Sequence, residues 1–433
     1  TAEEILAIRD KVAASEVTAY EDNVVKEPLI AEGTVLKGSP VKKTVEDKQL
    51  GTTEWTLANG AKVVVKPTTF KADEVRLGGL SLLSDEEYYM GEMMPAVNSM
   101  SGVGKFSATE LKKQLSGKTA SVQPSVENYT SAMGGVCSPK DIETMLQLLY
   151  LNFTQPRFNK DDVDNLTKML LAQLANAKSN PDFLMQEKVT DVTYGHNPRR
   201  QMISTEIVNK FDFEQLPGIY AKLYPGANGF VFTFVGNIDP ETLKPLVEKY
   251  IGSIPAARKP INYVDDKAYP VKGEVTEEFT APMQQPKVSV NYHFSGEMPY
   301  TLKNKMALTF LTQALNSRYL VSIREEKGGT YGVRVQGSTK YIPRETYSMT
   351  ISFDTNEEMA DELREIVMKE IEEIAANGPK SEDIEKNREF MLKSWKNSLE
   401  QNGAWMNYIQ IKYGSGLNYI ADHEQAIRDL TNA

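Results

Sequence analysis

The spacing of hydrophobic and polar residues predicts regular structure from about residue 54 onward. The segment "NGAKVVVKP" begins with the turn signal Asn59-Gly60 and continues as a β-branched strand, and "DEVRLGGLSLL" is interpreted as its hairpin partner. Ser107 and Glu110 have the spacing of a capping box, so a helix is expected to begin there and to end near Gly117.

A buried helix is predicted next, with Ser138 as its N-cap and Pro139 in its first turn. Its apolar residues recur at helical spacing, which indicates one buried face: Ile142, Met145, Leu146 and Leu149. A second helix is expected over about 159–178. The strand, turn and helix of "GFVFTFVGNIDPETLKPLVEKYIGSIP" then close the first domain.

The second half of the chain repeats this order of elements. "PKVSVNYHF" alternates like a strand, "TLKNKMALTFLTQALNSRYL" has helical spacing, "TYGVRVQGS" and "TYSMTISFD" form an alternating pair, and two long helices follow. Matching parts are offset by roughly 210 to 220 residues, which indicates a duplicated domain. The predicted fold class is α+β, with two homologous domains, each a mostly antiparallel β-sheet with helices packed on one face.

Polar segments punctuated by Pro and Gly divide the chain into four parts. Residues 1–53 are predicted to be a linker with a short helix, and 54–256 the first domain. Residues 257–275 are predicted to be a second linker, and 276–433 the second domain.

Composition and charge argue against several classes of function. The 433 residues carry a net charge of −10 without a Lys/Arg block, so neither nucleic acid nor an anionic membrane is expected as a partner. No apolar run is long enough to span a bilayer. The single cysteine, Cys137, allows neither an intrachain disulfide nor a thiolate zinc cluster. Both a reducing cytosol and a disulfide-free periplasm fit this composition.

Familiar catalytic and metal-binding motifs are missing from the sequence. The three histidines, His196, His293 and His423, are far apart, and none belongs to an H-E-x-x-H or H-x-x-E-H pair. We interpret them as structural or surface residues. No nucleophile elbow, phosphate-binding loop or dinucleotide fingerprint occurs, and "SGVGKFS" is interpreted as a turn between helices.

One candidate site is found in "SIREEKGGTYGVRV". Gly328 and Gly329 permit a tight turn, with Arg324 before it and Tyr331 at the start of the next strand. A guanidinium and a phenol could hold a peptide carbonyl or a carboxylate and donate to a developing oxyanion. By themselves they cannot activate water. The residues alone also allow a surface arginine beside a strand-capping tyrosine.

Four segments become informative when they are taken together: "LANGAKVVVKPTTFKADEV", the run from "SGVGKFS" to "LNFTQPR", "VFTFVGNIDPETLKPLVEKYIGSIP" and "SIREEKGGTYGVRVQGS". They resemble the pitrilysin/insulinase family of zinc metallopeptidases, especially its bacterial branch with four homologous domains in one chain. The first residues look like that family's linker between its two halves, and the strongest parts are 55–156 and 320–354. The resemblance implies a pitrilysin/mitochondrial-processing-peptidase-like fold.

The resemblance also implies which half of such a peptidase this chain is. The family's first half carries H-x-x-E-H and a downstream glutamate. Here that motif would fall on "MMPAV", Met93 to Val97, and the glutamate near Gln173, without any zinc ligand. The chain is therefore expected to be the non-catalytic C-terminal half. It would have no metal ligands or cofactor of its own, and the zinc would lie in the N-terminal half of the same polypeptide.

In that family the second half supplies an arginine and a tyrosine with the spacing R-x6-Y, which here match Arg324 and Tyr331. The resemblance implies that they reach across a closed chamber to the substrate backbone, that Tyr331 stabilises the transition state in trans, and that Gly328 and Gly329 shape the substrate-binding turn. The first repeat has Ala120 where the second has Tyr331. The implied partners are the N-terminal catalytic half and peptide substrates, without nucleic acid or membrane insertion.

Two other hypotheses stay open. Non-catalytic relatives of this fold act as scaffolds in assemblies, where Arg324 and Tyr331 would be ordinary loop residues. A small-molecule enzyme with another pocket has no supporting constellation. For the isolated chain we expect no peptide hydrolysis and no stoichiometric zinc. The resemblance favours the periplasm or cell envelope, with the cytoplasm as the alternative. It also implies that the second domain is truncated at "HEQAIRDLTNA", so that its sheet lacks an edge strand.

Overall fold

The computed structural model describes residues 2–14, 27–82, 91, 93–258, 262–325, 327–328, 330 and 332–430. Strands β1 to β7 are Val41–Asp47, Thr52–Leu57, Lys62–Pro67, Val75–Ser81, Ala120–Glu127, Thr130–Cys137 and Val231–Gly236. Strands β8 to β10 are Val288–Glu297, Arg334–Lys340 and Thr346–Thr355. Helices α1 to α9 are Ala2–Ala13, Met94–Ser101, Ala108–Gln114, Ile142–Thr154, Lys160–Ala177, Pro181–Thr193, Thr205–Asn209, Leu216–Leu223 and Pro240–Tyr250. Helices α10 to α14 are Leu302–Tyr319, Ala360–Asn377, Ser381–Ser398, Asn402–Ser415 and His423–Arg428.

The first sheet has the strand order β1-β2-β3-β7-β4-β6-β5. All neighbours are antiparallel except β3 and β7, which are parallel. The Asn59-Gly60 turn joins β2 to β3, and Gly60 has the positive φ of 86° that such a turn favours. The predicted hairpin of β3 with β4 is wrong, because β7 lies between them. This pairing joins residues far apart in sequence, and no local turn signal encodes it.

One face of the first sheet packs on helices of its own domain. Met145, Leu146 and Leu149 of α4 are fully buried, which confirms the helical face predicted there. The capping box of Ser107 and Glu110 is present at the start of α3. Helices α2, α5, α8 and α9 contribute to the same core. Residues 41–47 lie in the segment predicted to be a linker, but they form the edge strand β1 of this sheet.

The other face of the first sheet is covered by helices of the second half. Val64 of β3 and Val235 of β7 are fully buried in a core that we call the interdomain core. It includes residues of α10, α12, α13 and α14, among them Trp395, Trp405 and Ile409. The sequence predicted only two long helices at the end of this half, and α13 and α14 follow them. The two halves therefore share an apolar core.

The second sheet has the order β8-β10-β9, all antiparallel. This order matches β4-β6-β5 at one end of the first sheet, as a duplicated domain requires. Its apolar face packs on α10 and α11, with Ile351, Tyr319 and Leu363 fully buried. The predicted α+β class is confirmed, while the domain boundaries stay predictions. No helix among the described residues is both long and apolar enough to cross a membrane.

Candidate functional site

Arg324 lies at the end of the longest continuous helical path of the second half. Helix α10 runs directly into a π-helical segment, Leu320–Glu325, that the sequence did not predict. Tyr319 and Ile323 are fully buried, and the Tyr319 hydroxyl donates to the Val367 carbonyl oxygen at 3.0 Å. Short π-helical turns are rare and are frequent at functional sites. The buried residues hold this turn in place, while the Arg324 side chain is exposed.

The turn after Arg324 depends on Gly328. This glycine has φ of 65°, and its N–H donates to the Arg324 carbonyl oxygen at 3.1 Å. No atom lies within 4 Å of where a Cβ would be, so the glycine serves the backbone conformation rather than packing. The Lys327 ammonium forms a 2.6 Å ion pair with Glu362 of α11, which ties the turn to the domain.

Arg324 differs from its neighbour Arg318 in its partners. The Arg318 guanidinium is largely buried and contacts Glu370 at 3.0 Å and Asp383 at 3.6 Å, so it joins α10 to α11 and α12. Within the part of the chain that the structure describes, no hydrogen bond or ion pair engages the Arg324 side chain. The backbone at Arg324 is thus fixed by buried neighbours, and its side chain is exposed. The structural role of Arg318 was missed in the sequence.

Gly329 and Tyr331 lie outside the described residues. The structure therefore reports on Arg324 and Gly328 of the predicted site, and the meeting of Arg324 with Tyr331 stays a prediction.

Comparison with known proteins finds a family model that matches part of this chain. Residues 210–391 match the peptidase M16 inactive domain. The resemblance to a zinc metallopeptidase family that was predicted from sequence is thereby confirmed, and the matched range includes Arg324 and Gly328.

The curated relatives of this chain are described as zinc proteases. It is 24% identical over 422 residues to a zinc protease PQQL-like protein of Arabidopsis thaliana, an alignment that covers 92% of this chain and 41% of that protein. The periplasmic protease PqqL of Escherichia coli has the same fold, with a TM-score of 0.79 at 18% identity over 99% of this chain and 48% of PqqL. The ferredoxin protease FusC, solved with Arabidopsis ferredoxin, gives a TM-score of 0.79 at 16% identity over the same shares. The chain spans about two fifths of the length of the curated relatives that it matches.

The residues at the expected zinc-motif positions do not fit a metal. Met93, Met94 and Val97 are buried in the core of the first domain and offer no ligand suited to zinc. Gln173 is exposed on α5. Among the described residues, no group of three or more His, Cys, Asp or Glu side chains could hold a metal ion.

The three histidines occupy separate environments. His196 is exposed, and its Nδ1 lies 2.5 Å from Asp191. His423 is buried in the interdomain core, where burial lowers its pKa to about 4. His293 lies on β8, and partial burial lowers its pKa, with the charge of Lys340 as a second cause. None of these environments brings two imidazoles together.

Proposed function

We propose that this chain is the non-catalytic half of a zinc metalloendopeptidase and forms one wall of a closed chamber in which peptides are degraded. The observation that carries the proposal is how much of each chain the structural match covers. It covers 99% of this chain but only 48% of the periplasmic protease PqqL. A second half of comparable size is left to supply the zinc and the water-activating base, neither of which the described residues offer. The same relative supports a periplasmic or cell-envelope location for this protein.

The proposed role of this half is to bind the substrate backbone. The Arg324 guanidinium has a rigid fork of donors suited to a peptide carbonyl or a carboxylate. It is exposed, engaged by no described residue, and fixed by a buried helical turn. Gly328 allows the backbone to turn after Arg324, and Gly329 would extend that turn. Tyr331 would then donate its phenol hydrogen to the oxyanion of the tetrahedral intermediate.

Turnover of a quenched fluorescent peptide by the full-length protein tests these roles. Tyr331→Phe is expected to lower kcat about 100- to 1,000-fold, as the loss of one oxyanion donor typically does, while zinc content stays unchanged. Arg324→Gln is expected to raise KM and to lower kcat, because it removes contacts made both before and during the reaction. Tyr150→Phe, on α4 of the first domain, serves as the matched control.

Wild-type turnover by Tyr331→Phe would remove the catalytic assignment. The isolated 433-residue chain provides a second test, for which we expect neither peptide cleavage nor bound zinc. One equivalent of zinc held by three protein ligands of this chain would contradict the proposal.

A further inference from the structure

The second sheet has a polar face that, unlike the outer face of the first sheet, is not closed by a tightly packed helix. Helix α13 packs so closely on the first sheet that a Cβ on Gly78 of β4 would lie 2.5 Å from Gln410 Nε2 and 2.7 Å from Met406 Sδ. Strand β8 of the second sheet corresponds to β4 of the first. Asn291 is the fourth paired residue of β8, as Gly78 is the fourth paired residue of β4. Its side chain prevents an equally close approach by a helix.

Helix α6 covers this polar face and stands away from it. Met185, Val189 and Val192 follow the helical spacing i, i+4, i+7, but none of them is buried. A cavity of about 730 Å³ lies between this stripe, the polar face of the second sheet and the segment 268–279. Cavities of this size accommodate small molecules and short peptides.

The cavity has one apolar wall and one polar wall. Val271, Val275 and Phe279 extend the apolar stripe of α6, and each is more than a third exposed. The facing sheet contributes a row of hydrogen-bonding side chains: Asn291, His293, Ser295, Ser338, Lys340 and Ser348. Of these, Ser338 and Ser348 contact each other through their hydroxyl groups at 2.9 Å. A ligand that fits must bring apolar groups to one side and polar groups to the other.

The charge of the cavity favours an anion, although the whole chain is acidic. Two carboxylates line it, those of Glu277 and Glu297. Five cationic residues also line it: Lys188, Arg200, Lys272, Lys340 and Arg344. Glu277 pairs with Lys188 at 2.7 Å, and Glu297 with Arg344 at 3.4 Å. Arg200 is neutralised by Asp266 at 2.9 Å.

Two ammonium groups therefore remain to meet a ligand. In the described ranges, neither Lys272 nor Lys340 has an ion-pair partner. The charge of Lys340 contributes to the lowered pKa of His293. An anion bound beside Lys340 would therefore also influence the imidazole.

We propose that this cavity binds the free carboxyl-terminal end of an apolar oligopeptide. The carboxylate pairs with Lys340 beside His293, the backbone amides meet the hydroxyl groups of β8, β9 and β10, and the apolar side chains contact the stripe of α6. A simple fatty acid would offer the same carboxylate, but it would leave the hydrogen-bonding row facing hydrocarbon. The proposal concerns binding by this chain alone and does not rest on the proposed peptidase role.

Histidine NMR of the chain labelled with 13C-histidine provides the direct test, because only one of the three histidines lines the cavity. The probes are the tetrapeptide N-acetyl-Val-Phe-Val-Leu as its free acid, the same peptide as its carboxyl-terminal amide, and decanoate. The free acid is expected to shift the His293 signal saturably and to raise the pKa of His293, since a nearby carboxylate favours the imidazolium. The signal of His423, which lies in the interdomain core, should not move.

Affinity separates the contributions of charge and shape. The amide is expected to bind about tenfold more weakly than the acid, as the loss of one charge-assisted contact implies. Lys340→Gln should weaken the acid to the level of the amide. Lys43→Gln, an exposed lysine on the edge strand β1 of the other sheet, should leave binding unchanged. Val189→Trp, which fills the cavity from α6, should abolish binding of both peptides.

Three results would overturn the proposal. They are an unmoved His293 signal at saturating free acid, equal affinity of acid and amide, and tighter binding of decanoate than of the peptide acid.

Discussion

Acid is expected to weaken the interdomain core through His423. The imidazole is 5% exposed, its ring centroid lies 3.6 Å from that of Trp395 in a stacked arrangement, and its Nδ1 lies 3.2 Å from the Tyr419 carbonyl oxygen. Burial lowers the pKa of His423 from its ordinary 6.5 to about 4, while the contact with Tyr419 opposes this shift. The folded protein therefore keeps this imidazole neutral at a pH where the unfolded chain protonates it.

The sign and size of the effect follow from this difference. Because the folded-state pKa is depressed, the contribution of His423 is fully present above pH 6.5 and is lost as the pH falls towards 4. With these two pKa values, single-site linkage lowers the free energy of unfolding by about 2 kcal/mol between pH 7.5 and pH 5.0.

Urea unfolding at the two pH values measures this loss. Tryptophan fluorescence is a suitable probe, because Trp395 and Trp405, two of the three tryptophans, belong to the interdomain core. His423→Phe keeps an aromatic ring against Trp395 but cannot titrate, so it should lose about 2 kcal/mol less than the wild type on acidification. His196→Gln, at an exposed position, should behave like the wild type. An equal loss in His423→Phe and the wild type would refute the reasoning.

Two further predictions concern the contact that ties the segment after the first domain to that domain and the packing between the two halves. Asp266→Ala should lower the free energy of unfolding by about 3 to 5 kcal/mol, because it leaves the buried Arg200 guanidinium without its carboxylate; an unchanged urea midpoint would contradict this. Ile409→Ala, at a fully buried position of α13, should cost about 2 to 5 kcal/mol and speed limited proteolysis; wild-type resistance would show that α13 does not hold the first sheet.

Local patterns in the sequence predicted the local elements well. The capping box at Ser107 and the apolar spacing from Ile142 to Leu149 act within a few residues, and α3 and α4 follow them. The same is true of β9 and β10, whose alternation appears in the sequence and whose pairing joins neighbours in the chain.

Long-range packing was not accessible in the same way. The insertion of β7 between β3 and β4 depends on a pairing across about 160 residues, and a turn signal cannot report it. Strand β1 was interpreted as linker because its solvent-facing residues are polar, as edge strands commonly are. The apolar runs 63–65 of β3 and 231–235 of β7, interrupted only by Thr233, carried a usable signal, since a sheet buried on both faces needs a second layer of helices.

The candidate site was partly predictable. The spacing of Arg324 and Gly328 marked a turn, and the family resemblance gave it a role, but the π-helical segment beneath Arg324 has no sequence signature. The cavity under α6 was missed because it arises where α6 and the second sheet do not pack closely, and a sequence pattern does not report such a gap. Its signal was the combination of an apolar stripe on α6 with the polar alternation of β8, which the sequence contains but which only the fold brings together.

The chamber hypothesis is tested most directly by a structure of the full-length protein with a bound peptide and an inactivated zinc half. We expect a nitrogen of the Arg324 guanidinium within about 3.2 Å of a backbone carbonyl or carboxylate oxygen of the peptide. Tyr331 should lie beside the scissile carbonyl. An Arg324 side chain on the outer surface, remote from the peptide, would contradict the proposed function.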